Sequence, residues 1–85
     1  MVVNYHNNFI KDSKRLTVQQ KKKLIERLEL FGQDEFNPTL NNHSLNGKYL
    51  GHRSINVTGD LRAVFKKINN SVLFVSIDSH SNLYG

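Results

Sequence analysis

Residues 49–78, YLGHRSINVTGDLRAVFKKINNSVLFVSID, decide how this chain folds. From Tyr49 the pattern has a period of two: Arg53, Ile55 and Val57 alternate with His52, Ser54 and Asn56, as in a strand with one buried face. Thr58-Gly59-Asp60 reads as a tight turn, because these are residues that turns favour. Leu61, Ala63 and Phe65 then alternate with Arg62, Val64 and Lys66. Asn69-Asn70-Ser71 marks a second turn, and Val72 to Ile77 reads as a buried last strand. Three strands joined by short turns predict an antiparallel meander.

Upstream, Val2-Val3-Asn4-Tyr5-His6 suits a first strand, and Phe9, Ile10 and Leu16 anchor a short helix over residues 8 to 15. Thr17-Val18-Gln19-Gln20 fits a capping box, in which hydroxyl and amide side chains satisfy free backbone N–H groups. Leu24, Ile25, Leu28 and Phe31 follow at helical spacing, and Gly32 is expected to end that helix in the left-handed conformation. Residues 33–47 read as a long polar connection containing the only proline, Pro38, and the turn pair Asn46-Gly47. The expected fold is α+β, a single domain over residues 1–85. An N-terminal strand leads into a helical hairpin packed on one face of a small, mainly antiparallel twisted sheet, whose C-terminal part is the meander. The other sheet face is left partly open.

A chain of 85 residues hides only about two-thirds of its unfolded surface, which leaves no room for a large buried cofactor; none is expected. The chain has no cysteine, which excludes disulfides and thiolate metal sites. The start, MVVNYHNN, lacks the basic end and apolar run of a signal peptide, and no stretch approaches the roughly 20 apolar residues that span a bilayer. A cytoplasmic protein without membrane contact is the expectation. Twelve Lys and Arg against seven Asp and Glu give a net charge of +5, a field that attracts polyanions. Nucleic acid is the leading partner class and an acidic protein the next.

The meander and the C-terminal SHSNLYG carry more reactive side chains than a sheet needs. The histidines stand at 6, 43, 52 and 80 without a close His-x-x-x-His pair, so no metal site is expected. Asp78 and His80, two apart, are the only candidate pair. Proton transfer suits the inventory better, since histidine titrates near neutrality. His43 precedes the meander and His80 follows it, and the two strand ends are expected to lie near each other. Arg53 and Arg62 offer guanidinium forks suited to phosphate, and Asp60 in the turn can orient a histidine or accept a proton. Each residue also has a plain structural reading: His52 a solvated face residue, Asp60 a turn former, Arg62 an ion-pair partner, Tyr49 and Tyr84 packing residues, and Lys21-Lys22-Lys23 an exposed helix face.

The ordered set His43-Ser44-Leu45-Asn46-Gly47, then Gly51 to Phe65, then Ser79 to Tyr84 resembles the RelE/ParE superfamily of bacterial type II toxin–antitoxin toxins, its YafQ-like branch above all. The resemblance covers nearly the whole chain. It is specific in the C-terminal half and a matter of pattern in the N-terminal half. It implies a RelE-like microbial RNase fold and an mRNA endoribonuclease that cuts messenger in the ribosomal A site without metal. Its expected partners are the ribosome and its mRNA, and a cognate RelB/DinJ-like antitoxin, with operator DNA met only through the antitoxin complex.

By the same resemblance, His80 matches the family's C-terminal catalytic histidine and is expected to be the general acid. His43 and Asp60 match a histidine and an aspartate of the YafQ-like site, and either suits the base or a hold on the substrate. Arg62 matches an arginine that RelE-like members place near the scissile phosphate. Arg53, Tyr84, Asn56, Ser54 and Lys48 are the expected substrate contacts. The YafQ-like pattern has a histidine where this chain has Asn56, an acidic residue where it has Ser54 and a tryptophan where it has Leu61. The proton work therefore falls to His43 and His80. Two other functions fit the same fold: a ParE-like inhibitor of DNA gyrase, and a non-catalytic module that binds an antitoxin and assists repression.

Overall fold

The computed structural model describes residues 1–84, the side chain of Tyr84 excepted. Strand β1 (Val2–Tyr5) leads into helices α1 (Asn7–Lys14) and α2 (Val18–Gln33). Strands β2 (His43–Ser44), β3 (Arg53–Asn56), β4 (Leu61–Ile68) and β5 (Ser71–Ser79) follow, and α3 (His80–Tyr84) ends the chain. The five strands form one sheet in the order β1-β5-β4-β3-β2. β1 runs parallel to β5, and the remaining pairs are antiparallel. The meander and the helical hairpin are present as the residue pattern predicts.

The helices begin where their caps stand. The His6 ring accepts the Asn8 N–H at Nδ1, 3.0 Å, to open α1. At α2 both halves of the capping box are made: Gln20 N–H donates to Thr17 Oγ1 at 3.1 Å, and Thr17 N–H to Gln20 Oε1 at 2.9 Å. The apolar stripe of α2 is narrower than its sequence suggests. Leu24 and Phe31 are buried and Leu28 packs against the core, but Ile25 is 57% exposed. One residue beyond Leu24 is a rotation of about 100°, which carries Ile25 off the buried face.

The end of α2 differs from expectation. The helix runs through Gly32 to Gln33, and Asp34 closes it in an extended conformation. Asp34 Oδ1 accepts the Phe36 N–H at 3.1 Å, so the chain turns through an aspartate side chain and needs no left-handed glycine. The glycines with positive φ are Gly47 (64°) and Gly51 (87°), which bend the chain between β2 and β3. The connection after α2 is also more ordered than a polar loop. Asn37 and Pro38 start a 3₁₀ turn, a position suited to a residue with no N–H to offer, and that turn delivers Leu40 to the core. Leu40 is 0% exposed and Leu45 is buried as well. β2, two residues long, pairs with β3 through His43 and Ser44. A segment so short shows no periodicity.

Strand register assigns every side chain to a face. Ile55, Ala63 and Ile77 lie abreast, as do Phe65 and Phe74, and they join Phe9, Leu24 and Phe31 from the helices in the core. Ser54, Val64 and Ser76 form one row on the other face, and Asn56, Arg62 and Asp78 the next. The register shifts between Val64 and Phe65, where Val64 faces Ser76 but Phe65 faces Phe74. Val75 is the extra residue of a β-bulge. Because of it, Phe74 and Ile77, three apart, share the core face, and Ser76 and Asp78 turn outward.

β1 ends at Tyr5, so the outer edge of β5 needs other partners beyond Phe74. Asp12 of α1 provides one, its Oδ2 accepting the Ile77 N–H at 3.0 Å. Two stability effects are expected in urea titrations. Asp12→Ala should cost about 1.5–3 kcal/mol, as for hydrogen bonds to charged groups. Leu40→Ala should cost about 2–5 kcal/mol, as for a buried leucine whose site collapses incompletely; a cost below 1 kcal/mol would show that the connection does not belong to the cooperative core.

Candidate active site on the open sheet face

The helix-free face gathers His43 from β2, Ser54 and Asn56 from β3, Arg62 and Val64 from β4, and Ser76 and Asp78 from β5. Tyr49 lies over it and its hydroxyl is 3.3 Å from Ser76 Oγ. His52 meets the Tyr49 ring edge-on at 5.8 Å. It is half-buried rather than solvated, and its Nδ1 is buried without a hydrogen-bond partner. Lys48 is exposed, with Nζ 5.3 Å from the Tyr49 ring centre.

His43 is oriented by its own loop. Its Nδ1 is 2.7 Å from the Asn41 carbonyl oxygen. A carbonyl only accepts, so Nδ1 carries the hydrogen, and in the neutral ring the basic lone pair is at Nε2. Asn41 holds that carbonyl in place from a left-handed conformation (φ 47°), which asparagine tolerates better than most residues.

His80 is the first residue of α3 and is exposed. Its backbone N–H donates to the Asp60 carbonyl at 2.7 Å. Asp78 Oδ1 accepts the Ser79 N–H and Asn82 Nδ2, both at 2.8 Å, and Ser79 Oγ accepts the Asn82 N–H at 3.1 Å. The carboxylate of Asp78 thus secures the start of α3. Asp60 itself is exposed in the turn, where its N–H lies 3.3 Å from Thr58 Oγ1.

The arginines depart from expectation. Arg62 is 8% exposed. Its Nη1 donates to the carbonyls of Thr58 (2.9 Å), Leu61 (3.0 Å) and Gly59 (3.3 Å). This end of the guanidinium, expected to face a phosphate, holds the turn instead. Its Nε is buried without a partner, and so is Oδ1 of Asn56, the residue opposite. One cross-strand pair thus holds an unused donor and an unused acceptor, an arrangement native structures rarely leave without reason. Arg53 is not on this face at all. It lies abreast of Phe65 on the helical side, donates from Nε to Asn42 Oδ1 at 2.8 Å and packs over Phe36. The period of two separates it from Ser54 and Asn56, so the structure removes it from the expected set. Ser54 is on the right face but fully buried, part of the floor.

The side chain of Tyr84 lies outside the described residues. The two histidine-bearing ends are less close than the sequence reading supposed. Two strands stand between β2 and β5, a width of about 14 Å at the usual strand spacing. β2 and β5 flank the Asn56–Arg62 pair of β3 and β4. Ser76 was missed as a member of this face, and the bulge and the register reveal it; Tyr49, read as a packing residue, joins the face through its hydroxyl. Among the described residues no group of three His, Asp or Glu side chains is placed to hold a metal ion.

This fold is shared with known bacterial toxins. YafQ from E. coli strain BL21(DE3) superimposes with a TM-score of 0.78 at 22% identity, over 98% of this chain and 97% of that one. YafQ in the E. coli DinJ–YafQ toxin–antitoxin complex gives 0.75 at 23% identity, over 98% and 96%. A YoeB/ParE toxin from Agrobacterium tumefaciens gives 0.74 at 15% identity, over 94% and 99%. No curated protein sequence matches significantly. The fold class is therefore that of small α+β proteins with a mixed five-stranded sheet. Over residues 1–85 the sequence matches the family described as "Bacterial toxin of type II toxin-antitoxin system, YafQ". The chain belongs to that family, and is a toxin of a type II toxin–antitoxin system.

Proposed function

We propose that this toxin is an endoribonuclease that cuts messenger RNA in the A site of the translating ribosome, without a metal ion. The observation that carries the proposal is the open face itself. A histidine with its basic nitrogen set at Nε2 lies on one side of the Asn56–Arg62 pair, and the seat of a second histidine lies on the other.

RNA supplies its own nucleophile, the 2′-hydroxyl beside the scissile phosphate. His43 Nε2 takes the 2′-hydroxyl proton, with Asp60 the alternative base. The O2′–P bond forms as the P–O5′ bond breaks, and protonated His80 gives its proton to the leaving 5′-oxygen. The products are a 2′,3′-cyclic phosphate and a 5′-hydroxyl. Asn56 cannot transfer a proton at neutral pH; it belongs to the proposed substrate contacts as a residue of the face, its Oδ1 being buried. Lys48 adds positive charge at the rim, and Tyr84, at the end of α3, belongs to the proposed substrate contacts. The cationic charge of Arg62 beneath the face favours an anionic transition state.

A cognate RelB/DinJ-like antitoxin is the proposed neutralising partner, and operator DNA is met only through that complex. The antitoxin named in the E. coli complex supports this. The proposed place of action is the cytoplasm; no helix among the described residues is long and apolar enough to cross a membrane.

Mapping cleavage on a translated messenger, with analysis of end groups, tests the proposal. Cuts at frame-dependent positions ending in a cyclic phosphate are expected, and His80→Ala should slow them about 10²–10⁴-fold, the range for loss of a general acid. Undiminished cleavage by that variant would remove His80 as the acid. Magnesium-dependent nicks at random positions, or inhibition of gyrase supercoiling without RNA products, would overturn the reading as a whole.

A further inference from the structure

We infer that Arg62 is a positioning residue: it clamps the Thr58–Asp60 turn, and the turn in turn seats the histidine at the start of α3. The inference rests on the reading of His80 as the general acid, and it assigns Arg62 a role other than contact with the scissile phosphate.

The argument starts with the turn's carbonyls. All four from Thr58 to Leu61 are engaged. Those of Thr58 and Gly59 accept from Arg62 Nη1, and that of Leu61 accepts from Arg62 Nη1 and from the Val57 N–H at 2.9 Å. That of Asp60 accepts from the His80 N–H at 2.7 Å. Among the bonds described, Arg62 is the only donor to the Thr58 and Gly59 carbonyls. Without it, two of the four would lose their donor and the Asp60 carbonyl would sit on a looser loop.

The second strand of the argument is the use of charge. Arg62 is more than nine-tenths buried, and among the described residues it forms no ion pair. Its cross-strand partner is Asp78, yet that carboxylate is bonded to Ser79 and Asn82. The two charges therefore serve opposite sides of one seat. Arg62 fixes the turn, Asp78 fixes the first turn of α3, and the His80 amide joins them. A buried arginine without a carboxylate is costly to keep, and carbonyl dipoles aimed at Nη1 offset that cost only while the turn keeps its shape. The clamp is thus reciprocal.

The consequence is kinetic. The acid stands on a five-residue helix whose first amide is held by this turn, and small misplacements of reacting groups are expensive. Arg62→Met, Arg62→Lys and Thr58→Ala test the clamp. Thr58→Ala removes the hydroxyl that accepts the Leu61 N–H at 3.0 Å, loosening the same turn without touching Arg62. It keeps the test valid if Arg62→Met fails to fold. Two quantities are measured in the intact protein: hydrogen exchange of the His80 amide by NMR, and ribosome-dependent cleavage resolved into kcat and KM.

For Arg62→Met, His80 exchange should quicken at least about tenfold and kcat should fall about 10–100-fold, with KM within about threefold of wild type, as expected when an acid is misplaced but binding is kept. Arg62→Lys and Thr58→Ala should move both quantities the same way by less. Retained His80 protection would overturn the clamp, whether KM rises, as for a substrate contact, or kcat alone falls, as for a charge that favours the transition state. Faster exchange with undiminished kcat would overturn the positioning role, because the seat of His80 would then not matter to the reaction. If the wild-type protein cuts no RNA, the proposed function fails, while the exchange data still decide whether Arg62 holds the seat.

Discussion

The aromatic contact of Phe31 with Phe65 and Phe74 is the interaction on which the rest of this structure depends. Ring centres lie 5.1 and 5.3 Å apart, both edge-on, and Phe65 and Phe74 are themselves 5.3 Å apart. Edge-to-face packing of this kind adds to the burial of large apolar area. Phe31 comes from the last turn of α2, and its partners come from the two longest strands. The contact therefore joins the hairpin to the middle of the sheet. Phe9 of α1 reaches the same point, 5.4 Å from Phe74. In so small a domain this cluster is the centre of the core, and it commits the middle of one sheet face to the helices.

The commitment of one face leaves the other free for polar groups, and the bulge at Val75 decides which ones. Without it Ser76 and Asp78 would share the parity of Phe74 and point into the core. With it Ser76 lines up beside Val64 and Ser54, and Asp78 beside Arg62 and Asn56. The single irregularity in the meander is thus the feature that completes the polar face, in keeping with the tendency of bulges to re-aim side chains at functional sites. Beside Ser76 and Asp78 stand a buried arginine and two unpartnered polar atoms in one cross-strand pair.

Much of the fold was legible because its signals are local. The capping box of α2, the alternation in β3 and β4 and the turns at Thr58-Gly59-Asp60 and Asn69-Asn70 each rest on a few neighbouring residues. The readings that went astray involve choices made elsewhere in the chain. Gly32 stays helical because Asp34 makes the turn. Ile25 sits off the stripe because Leu24 and Phe31 set the rotation of α2. Leu40 enters the core through a 3₁₀ turn that carries no periodic signal. Arg53 looked like a phosphate ligand by residue type, yet its register with Phe65 sends it to the helical side.

The sequence by itself determined the two long helical segments, the meander, the α+β class and the cationic character, and it supplied the candidate reactive residues, because propensity, periodicity and residue chemistry are written in neighbouring positions. Only the tertiary structure decided which reactive residues share a surface. That depends on pairing between distant segments, on a bulge that reverses the parity of β5, and on where a buried guanidinium finds its acceptors. Arg62 shows the difference most clearly: its charge is plain in the sequence, but its hold on the Thr58–Asp60 turn, and through it on His80, exists only once β3, β4 and β5 have come together.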